Sequence, residues 1–381
     1  MAPPLSQEIR FCGTRDGLRL AYAVTGRAAS GRAASGRAAP GRGPVLVRAA
    51  HFLTHVEFDL QSPVWRPWLE TLGRDRTLVR YDGRGCGLSD HPATPLCLDS
   101  WVADLEAVVD AAGLERFALL GCSQGGAVSV AYAARHPERV SALVLLGSYA
   151  RGLMRRHPTP EQVREAQLLL EMIEIGWGRE NPAFRQAFTS LYLPGGRPDE
   201  VQWFNEMERL STTPAHAART VAAFGQIDVS DEAARVRCPT LVLHARGDAR
   251  VPFDEGRRMA GLIPGARFVP LDSANHMLLS HEAAFAHCFS EMHAFLSAHD
   301  PVPAGACAAF QALTPREREL LELLARGLDN LQIAAHLAVS EKTVRNKVSA
   351  VFEKLGVGSR GRAIVLAREA GFGRGSGPGP G

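Results

Sequence analysis

The chain has 381 residues, 46% of them hydrophobic and 22% charged, with a mean hydropathy of −0.07, a balance that excludes a disordered or fibrous protein. That length suits two or three domains, or one large domain with an appendage. The net charge of +3 is unevenly spread: residues from 310 onward carry 11 basic and 7 acidic side chains, and the first 309 carry 32 and 33.

All three lysines (Lys342, Lys347 and Lys354) fall in the basic tail, which points to a polyanion partner for the tail alone; on charge by itself, a solvated charged face explains it as well. Seven scattered cysteines, none spaced C-x-x-C, fit a reducing cytoplasm and argue against disulfides or structural zinc; no metal and no cofactor is expected. The first residues have no basic segment followed by an apolar core, so no secretory signal is expected. Phe117 to Ala134 is uncharged, but Gly121 to Gly126 interrupts it with turn-forming residues, so no membrane partner is expected.

Leu18 to Val24 alternates as a strand and Pro44 to Val47 forms an apolar one. Between them, residues 26–43 are low complexity, with Gly-Arg-Ala-Ala-Ser at 26–30 and 31–35 and Gly-Arg-Ala-Ala-Pro at 36–40. Copies this short make no solenoid, so an expanded surface loop is expected. Further apolar runs start at Thr77, Phe117, Ala142, Thr240 and Arg267, alternating with helical segments such as Ser100 to Ala112 and Gly126 to His136. This rhythm predicts an α/β fold, a mostly parallel sheet with helices on both faces. Over about 150–235 the strand signals give way to amphipathic patterns, as in Glu161 to Ile175 and Pro182 to Leu191, which predicts a helical cap over the strand ends. Residues 300–311, rich in Pro, Gly and Ala, are the expected linker, and the Gly/Pro-rich 373–381 is expected to be a disordered tail.

Gly121 to Gly125 contains G-x-S-x-G, a weak pattern by itself in a glycine-rich chain. Here it follows an apolar strand and precedes a small-residue helix, the setting of a nucleophile elbow, where the hydroxyl of Ser123 stands at a helix N-terminus. A serine nucleophile needs a base, and the base needs an orienting acid. The strand ending at His244 leads to Asp248, and the strand ending at Leu271 leads to His276, in the order Ser, Asp, His; Asp272 and His281 are nearby competitors.

Residues from about 10 to 297 resemble an α/β-hydrolase, and Arg80 to Asp90 (Arg-Tyr-Asp-Gly-Arg-Gly-Cys-Gly-Leu-Ser-Asp) is similar to that family's segment before the elbow. The resemblance implies a hydrolase domain over 1–299, with Ser123 as nucleophile, His276 as base, Asp248 as its orienter and the Gln124 N–H as one oxyanion donor. The family's His-Gly after the third strand is replaced by Arg48-Ala49-Ala50-His51-Phe52, leaving the second donor among Ala50, His51 and Phe52. Trp177, Trp203 and Phe204 are candidate pocket lining, or ordinary cap core.

From Thr314 the pattern is helix, helix, tight turn, helix, helix. Thr314 to Glu317 is a capping box, Asp329 caps a second helix to Leu337, and Ser340 caps a third. In that third helix Val344, Val348, Val351 and Leu355 form an apolar stripe; Lys342, Asn346 and Ser349 oppose it, Thr343 and Arg345 flank it, and Lys347 lies at its edge. Such a helix suits the major groove, where cations meet phosphates and Asn or Arg reads base edges.

Residues 312–372 resemble the LuxR/GerE helix-turn-helix of bacterial transcription regulators, through Leu313 to Leu320, Gly327 to Leu337 and Val339 to Val348. That resemblance implies a double-stranded DNA partner and a homodimer, with Ile364, Val365 and Ala367 as candidate dimer contacts. Two functions are then expected to compete. One is a cytoplasmic DNA-binding regulator whose hydrolase-like domain binds, and slowly hydrolyses, a small-molecule ligand. The other is an active esterase- or lactonase-like serine hydrolase with an accessory DNA-binding module.

Overall fold

The computed structural model describes residues 6–25, 44–92, 96–300, 313–355, 357, 359–369 and 372–373. The expected loop at 26–43, the linker after residue 300 and nearly all of the expected tail lie outside the described residues. The chain divides into two compact units, Met1–Pro301 and Val302–Gly381, each with its own apolar core.

The first unit is an eight-stranded sheet in the order β1-β2-β4-β3-β5-β6-β7-β8. Its strands are β1 (Gln7–Gly13), β2 (Arg19–Thr25), β3 (Val45–Arg48), β4 (Thr77–Tyr81), β5 (Phe117–Cys122), β6 (Val140–Leu146), β7 (Thr240–Ala245) and β8 (Arg267–Leu271). β1 and β2 are antiparallel additions at one edge; from β4 to β8 every pairing is parallel. The β5, β6 and β7 side chains are buried along their whole length, as continuous Leu/Val/Ala runs require when helices cover both faces. Those helices are α1 (Trp65–Leu72), α2 (Leu98–Ala111), α3 (Gln124–Arg135), α9 (Phe253–Leu262) and α10 (Ala283–His299). The sequence reading missed β1, whose alternation of half-buried and exposed residues gives an edge strand little apolar signature.

Between β6 and β7 the chain is helical: α4 (Pro160–Gly176), α5 (Ala183–Tyr192), α6 (Pro198–Ser211), α7 (Pro214–Phe224) and the short α8 (Ser230–Ala233). Strand order reverses between β3 and β5, and at such a switch point the loops leaving two neighbouring strands diverge and open a crevice at their carboxyl ends. The segment 49–52 leaves β3 there, beside the end of β5 that leads into Ser123.

The second unit consists of α11 (Pro315–Ala325), α12 (Asn330–Leu337), α13 (Glu341–Leu355) and α14 (Arg360–Glu369). Thr314 and Asp329 cap α11 and α12 in reciprocal capping boxes with Glu317 and Gln332. Ala338 takes the left-handed conformation (φ 52°) to make the turn, and the Ser340 hydroxyl accepts the Thr343 N–H at 3.2 Å. Leu320, Leu324, Ile333, Val344, Val348 and Val351 fill the core.

Candidate active site and candidate nucleic-acid interface

Ser123 sits between β5 and α3 with φ 52° and ψ −129°, a strained conformation for a residue with a Cβ. The crowding that holds it there needs glycine on both sides. A Cβ on Gly121 would lie 2.6 Å from the Gly126 Cα, and one on Gly125 would lie 2.8 Å from the Ala50 carbonyl oxygen. The serine is therefore presented at the N-terminus of α3, against the segment that leaves β3.

His276 and Asp248 come together from the loops after β8 and β7. The His276 Nδ1 is 2.7 Å from Asp248 Oδ2, and both side chains are buried. Asp248 Oδ1 accepts the Arg250 and Val251 N–H groups, each at 2.8 Å. Burial raises the Asp248 pKa, but the His276 charge and hydrogen bond outweigh it, and the net shift is downward. An ionised Asp248 fixes the proton on Nδ1 and leaves a lone pair on Nε2. That Nε2 is buried without a hydrogen-bond partner, so the Ser123 hydroxyl is not engaged with it. Of the competitors, Asp272 is exposed, and His281 lies 3.3 Å from Glu200 of α6 instead.

Sequence reasoning did not find three groups that hold this pair. Gly147 (φ +57°) follows β6, and a Cβ there would lie 3.1 Å from the His276 ring. His244 Nε2 donates to the Val251 carbonyl at 3.0 Å, fixing the loop whose Val251 N–H holds Asp248 Oδ1. The Tyr192 carbonyl, at the end of α5, accepts the His276 and Met277 N–H groups at 2.9 and 3.2 Å, so the helical insertion pins the histidine loop. A glycine closing the apolar run of β6 was the available signal for the first; the other two left none.

The loop after β3 is clamped to α3 by the Gln124 side chain. Its Oε1 accepts the Phe52 N–H at 3.0 Å, and its Nε2 reaches the Ala50 carbonyl at 3.4 Å. The Phe52 N–H is thus already used, and the donors left on this loop are those of Ala50 and His51. His51 is buried and stacked on Trp65 at 4.7 Å, with Nδ1 donating to the Phe52 carbonyl at 2.7 Å. Burial and the nearby Arg48 push its pKa down to about 3, so it is neutral. A cavity of about 30 Å³, room for about one water, is lined by Ala50, His51, Phe52, Gln124 and residues of α7 among others. Trp177 packs on Phe52 at 5.9 Å, Phe204 on Tyr192 at 5.7 Å, and Trp203 stacks on Phe58 at 4.8 Å.

Beneath this loop lies a buried charge cluster that the sequence reading also missed. Arg48, the last residue of β3, and Arg80, the last but one of β4, are register partners and share the Asp59 carboxylate at 3.2 and 3.0 Å. The matching Leu-Val-Arg runs of β3 and β4 were the available signal: two like charges side by side in a sheet core demand a counter-ion. The family-like Arg80 to Asp90 segment is scaffold here. Asp82 accepts the Val56 and Leu88 N–H groups at 2.8 and 2.9 Å, and Arg84 grips Asp104 at 2.7 Å.

In the second unit Lys342, Arg345, Asn346 and Ser349 are exposed along α13, Thr343 and Lys347 are half-buried, and the Val344, Val348, Val351 and Leu355 stripe is buried. Arg345 is paired with Glu341 at 3.0 Å within the same helix. Lys354 faces Glu317 of α11 at 2.8 Å instead of standing free. Of the expected dimer contacts, Ala367 must be corrected. It is fully buried in the unit's own core, because the inward face of α14 packs on α11, and it is not available to a second copy. Ile364 is half-buried, and the Val365 side chain lies outside the described residues.

The fold and these two sites define a hydrolase-fold unit joined to a helix-turn-helix unit. The chain belongs to the alpha/beta hydrolase fold family, which residues 58–283 match, and residues 311–367 match the bacterial regulatory proteins of the luxR family, whose helix-turn-helix binds DNA in transcription regulation. It is 30% identical to the AB hydrolase superfamily protein YisY of Bacillus subtilis (strain 168), over 61% of this chain and 84% of that protein. Among solved structures, a hydrolase from Pseudomonas aeruginosa PA01 is 26% identical, with a TM-score of 0.59 over 76% of this chain and 98% of that one. An esterase from Rhodococcus sp. ECU1013 is 25% identical, with a TM-score of 0.59 over 76% and 99%. Among the described residues no helix is long and apolar enough to cross a membrane.

Proposed function

We propose that the protein is a one-component transcriptional regulator whose hydrolase-fold unit receives a small ester- or lactone-like ligand at Ser123, His276 and Asp248. It turns that ligand over slowly and passes its presence to the DNA-binding unit. The observation that carries this reading is the pairing of a preformed His276–Asp248 couple with an exposed Lys342, Arg345, Asn346 and Ser349 face on one chain. A regulator needs an input, and a buried histidine with an unpartnered Nε2, on the same unit as an elbow serine, is a ready acceptor for one. Slow turnover fits the loop after β3, which lacks the family's glycine and where Gln124 holds the Phe52 N–H, narrowing the second oxyanion donor to Ala50 or His51. A donor held out of place there would cost on the order of a hundredfold or more in rate. Turnover would use the Gln124 N–H with that of Ala50 or His51. The protein would act in the cytoplasm as a homodimer, each copy presenting one α13.

The competing reading, an efficient serine hydrolase with an accessory DNA module, is favoured by the intact His276–Asp248 hydrogen bond and by the hydrolase and esterase names of its relatives. Labelling with a fluorophosphonate separates the two. A reactive Ser123 that labels slowly, with ligand-dependent DNA binding kept in Ser123→Ala, is the expected result. Rapid multiple turnover of aryl esters, with DNA binding indifferent to every ester, would sink the regulator reading.

For the second unit, Lys342→Ala with Asn346→Ala is expected to reduce affinity at least a hundredfold for a duplex selected from random sequence. Loss of the Lys342 charge is expected to lower the salt slope of binding by about one. Fluorescence anisotropy across a salt series reads both. Affinity within threefold of wild type would remove α13 from the interface.

A further inference from the structure

Beside the His276–Asp248 pair, cations outnumber their counter-ions. Arg151 and Arg156 both face the buried Glu255, at 3.8 and 3.7 Å, and Arg258 reaches the same carboxylate from the outside at 3.6 Å. Arg250 has no carboxylate within ion-pair distance among the described residues. Its backbone N–H is fixed on Asp248 Oδ1 and its Nε donates to the Tyr192 hydroxyl at 3.1 Å, while the guanidinium's other four N–H donors make no hydrogen bond among the described residues.

Tyr192 ties this arginine to the candidate site: its hydroxyl meets Arg250, and its ring packs against the His276 ring at 5.3 Å. Tyr149, whose ring lies under Arg156 at 5.2 Å, interacts electrostatically with Arg250 as well. Burial pushes the pKa of both phenols upward, so they stay neutral and do not balance the arginine.

We propose that Arg250 is the anchor for a carboxylate on the ligand, so that the hydrolase-fold unit selects esters or lactones bearing a second, anionic carboxylate end. This rests on the reading of Ser123, His276 and Asp248 as the ligand site. The one carboxylate that acts on Arg250 electrostatically, Asp248, is hydrogen-bonded to His276, so the half-buried guanidinium keeps its fork open to an anion. The planar fork fits a carboxylate at two donors, which a lysine does not. Arg250 alone is tied through Tyr192 to His276, and one guanidinium matches one monoanion; phenyl phosphate tests whether the further arginines around Glu255 favour a dianion instead.

The test uses the full chain carrying Ser123→Ala, which stops turnover, and thermal shift as the readout. The probes are the monomethyl esters of C4 to C8 dicarboxylic acids, each set against its dimethyl ester, with phenyl phosphate as a third probe. The best monomethyl ester is expected to reach half-maximal stabilisation at about a tenfold lower concentration than its dimethyl partner. Arg250→Met is expected to bring that ratio to about one, and Arg250→Lys to restore part of it. Arg257→Met, which removes the same charge from an exposed position of α9 paired with Asp254, should leave the ratio intact. A ratio near one in the parent chain, no stabilisation by either ester, a ratio kept in Arg250→Met, or stronger stabilisation by phenyl phosphate would each overturn the proposal. Failure of Ser123 as a nucleophile is read separately, from fluorophosphonate labelling of the chain with Ser123 intact.

Discussion

Asp59→Asn is expected to destabilise the hydrolase-fold unit by about 3–5 kcal/mol, the usual penalty for stranding buried charge. Arg48 and Arg80 are each only 1% exposed and lie next to one another as register partners in β3 and β4. Their repulsion is held by one carboxylate, itself 1% exposed. Burial, with the charge of Arg48, pushes the Arg80 pKa down to about 10 in spite of Asp59. An amide keeps the shape of the aspartate and can accept a hydrogen bond, but carries no charge. Arg48→Met leaves the Arg80–Asp59 pair balanced and places an apolar chain against Trp65, whose ring Arg48 now covers at 4.4 Å. It is expected to cost far less, under about 1.5 kcal/mol. All five tryptophans lie between residues 65 and 203, so urea unfolding followed by tryptophan fluorescence reports this unit alone. Equal effects of the two substitutions would show that Asp59 is not the counter-ion that matters.

What the sequence made legible follows from where its constraints are local. The strands from β2 to β7 declare themselves because burial against helices forces largely apolar runs, and α11, α12 and α13 because their caps and valine spacing are set within a few residues; β8 reads as apolar although only Val269 and Leu271 are buried. β1 is half exposed and gives no such run. Of the candidate site, Ser123, Asp248 and His276 can be picked out because each stands at the end of a strong strand. Their supports cannot be picked out in the same way. Gly147, His244, Tyr192 and Gln124 act through contacts between loops distant in sequence, and the Gln124 side chain, which consumes the Phe52 N–H, looks like any polar residue after an elbow serine. Ala367 fails as a dimer contact for a related reason: α14 is short, and its spacing does not say which of its apolar residues face α11.

Asp248→Asn is expected to lower the rate of Ser123 labelling by a fluorophosphonate by about 10³–10⁴ at pH 7, with the fold intact. The introduced amide would keep an oxygen for the Arg250 and Val251 N–H groups, so the loop after β7 retains its two backbone hydrogen bonds. The atom turned to His276 then becomes an NH₂ donor. It meets Nδ1, which must surrender its proton and accept, and the proton moves to Nε2. An Nε2–H is a donor and could not take the Ser123 hydroxyl proton, so in the proposed site the base is lost although every heavy atom stays in place. The same reasoning fixes the acid limb. The Asp248 pKa is depressed in the folded state, so the stability contributed by its hydrogen bonds as a carboxylate is complete above the unfolded value of about 3.9 and is lost as pH falls through the folded one. Labelling by wild type should therefore lose no Asp248 contribution anywhere above about pH 5. Second-order labelling rates for both proteins from pH 5 to 9, beside their thermal transitions, test this. Labelling of Asp248→Asn within tenfold of wild type would mean that His276 does not depend on Asp248 for its tautomer.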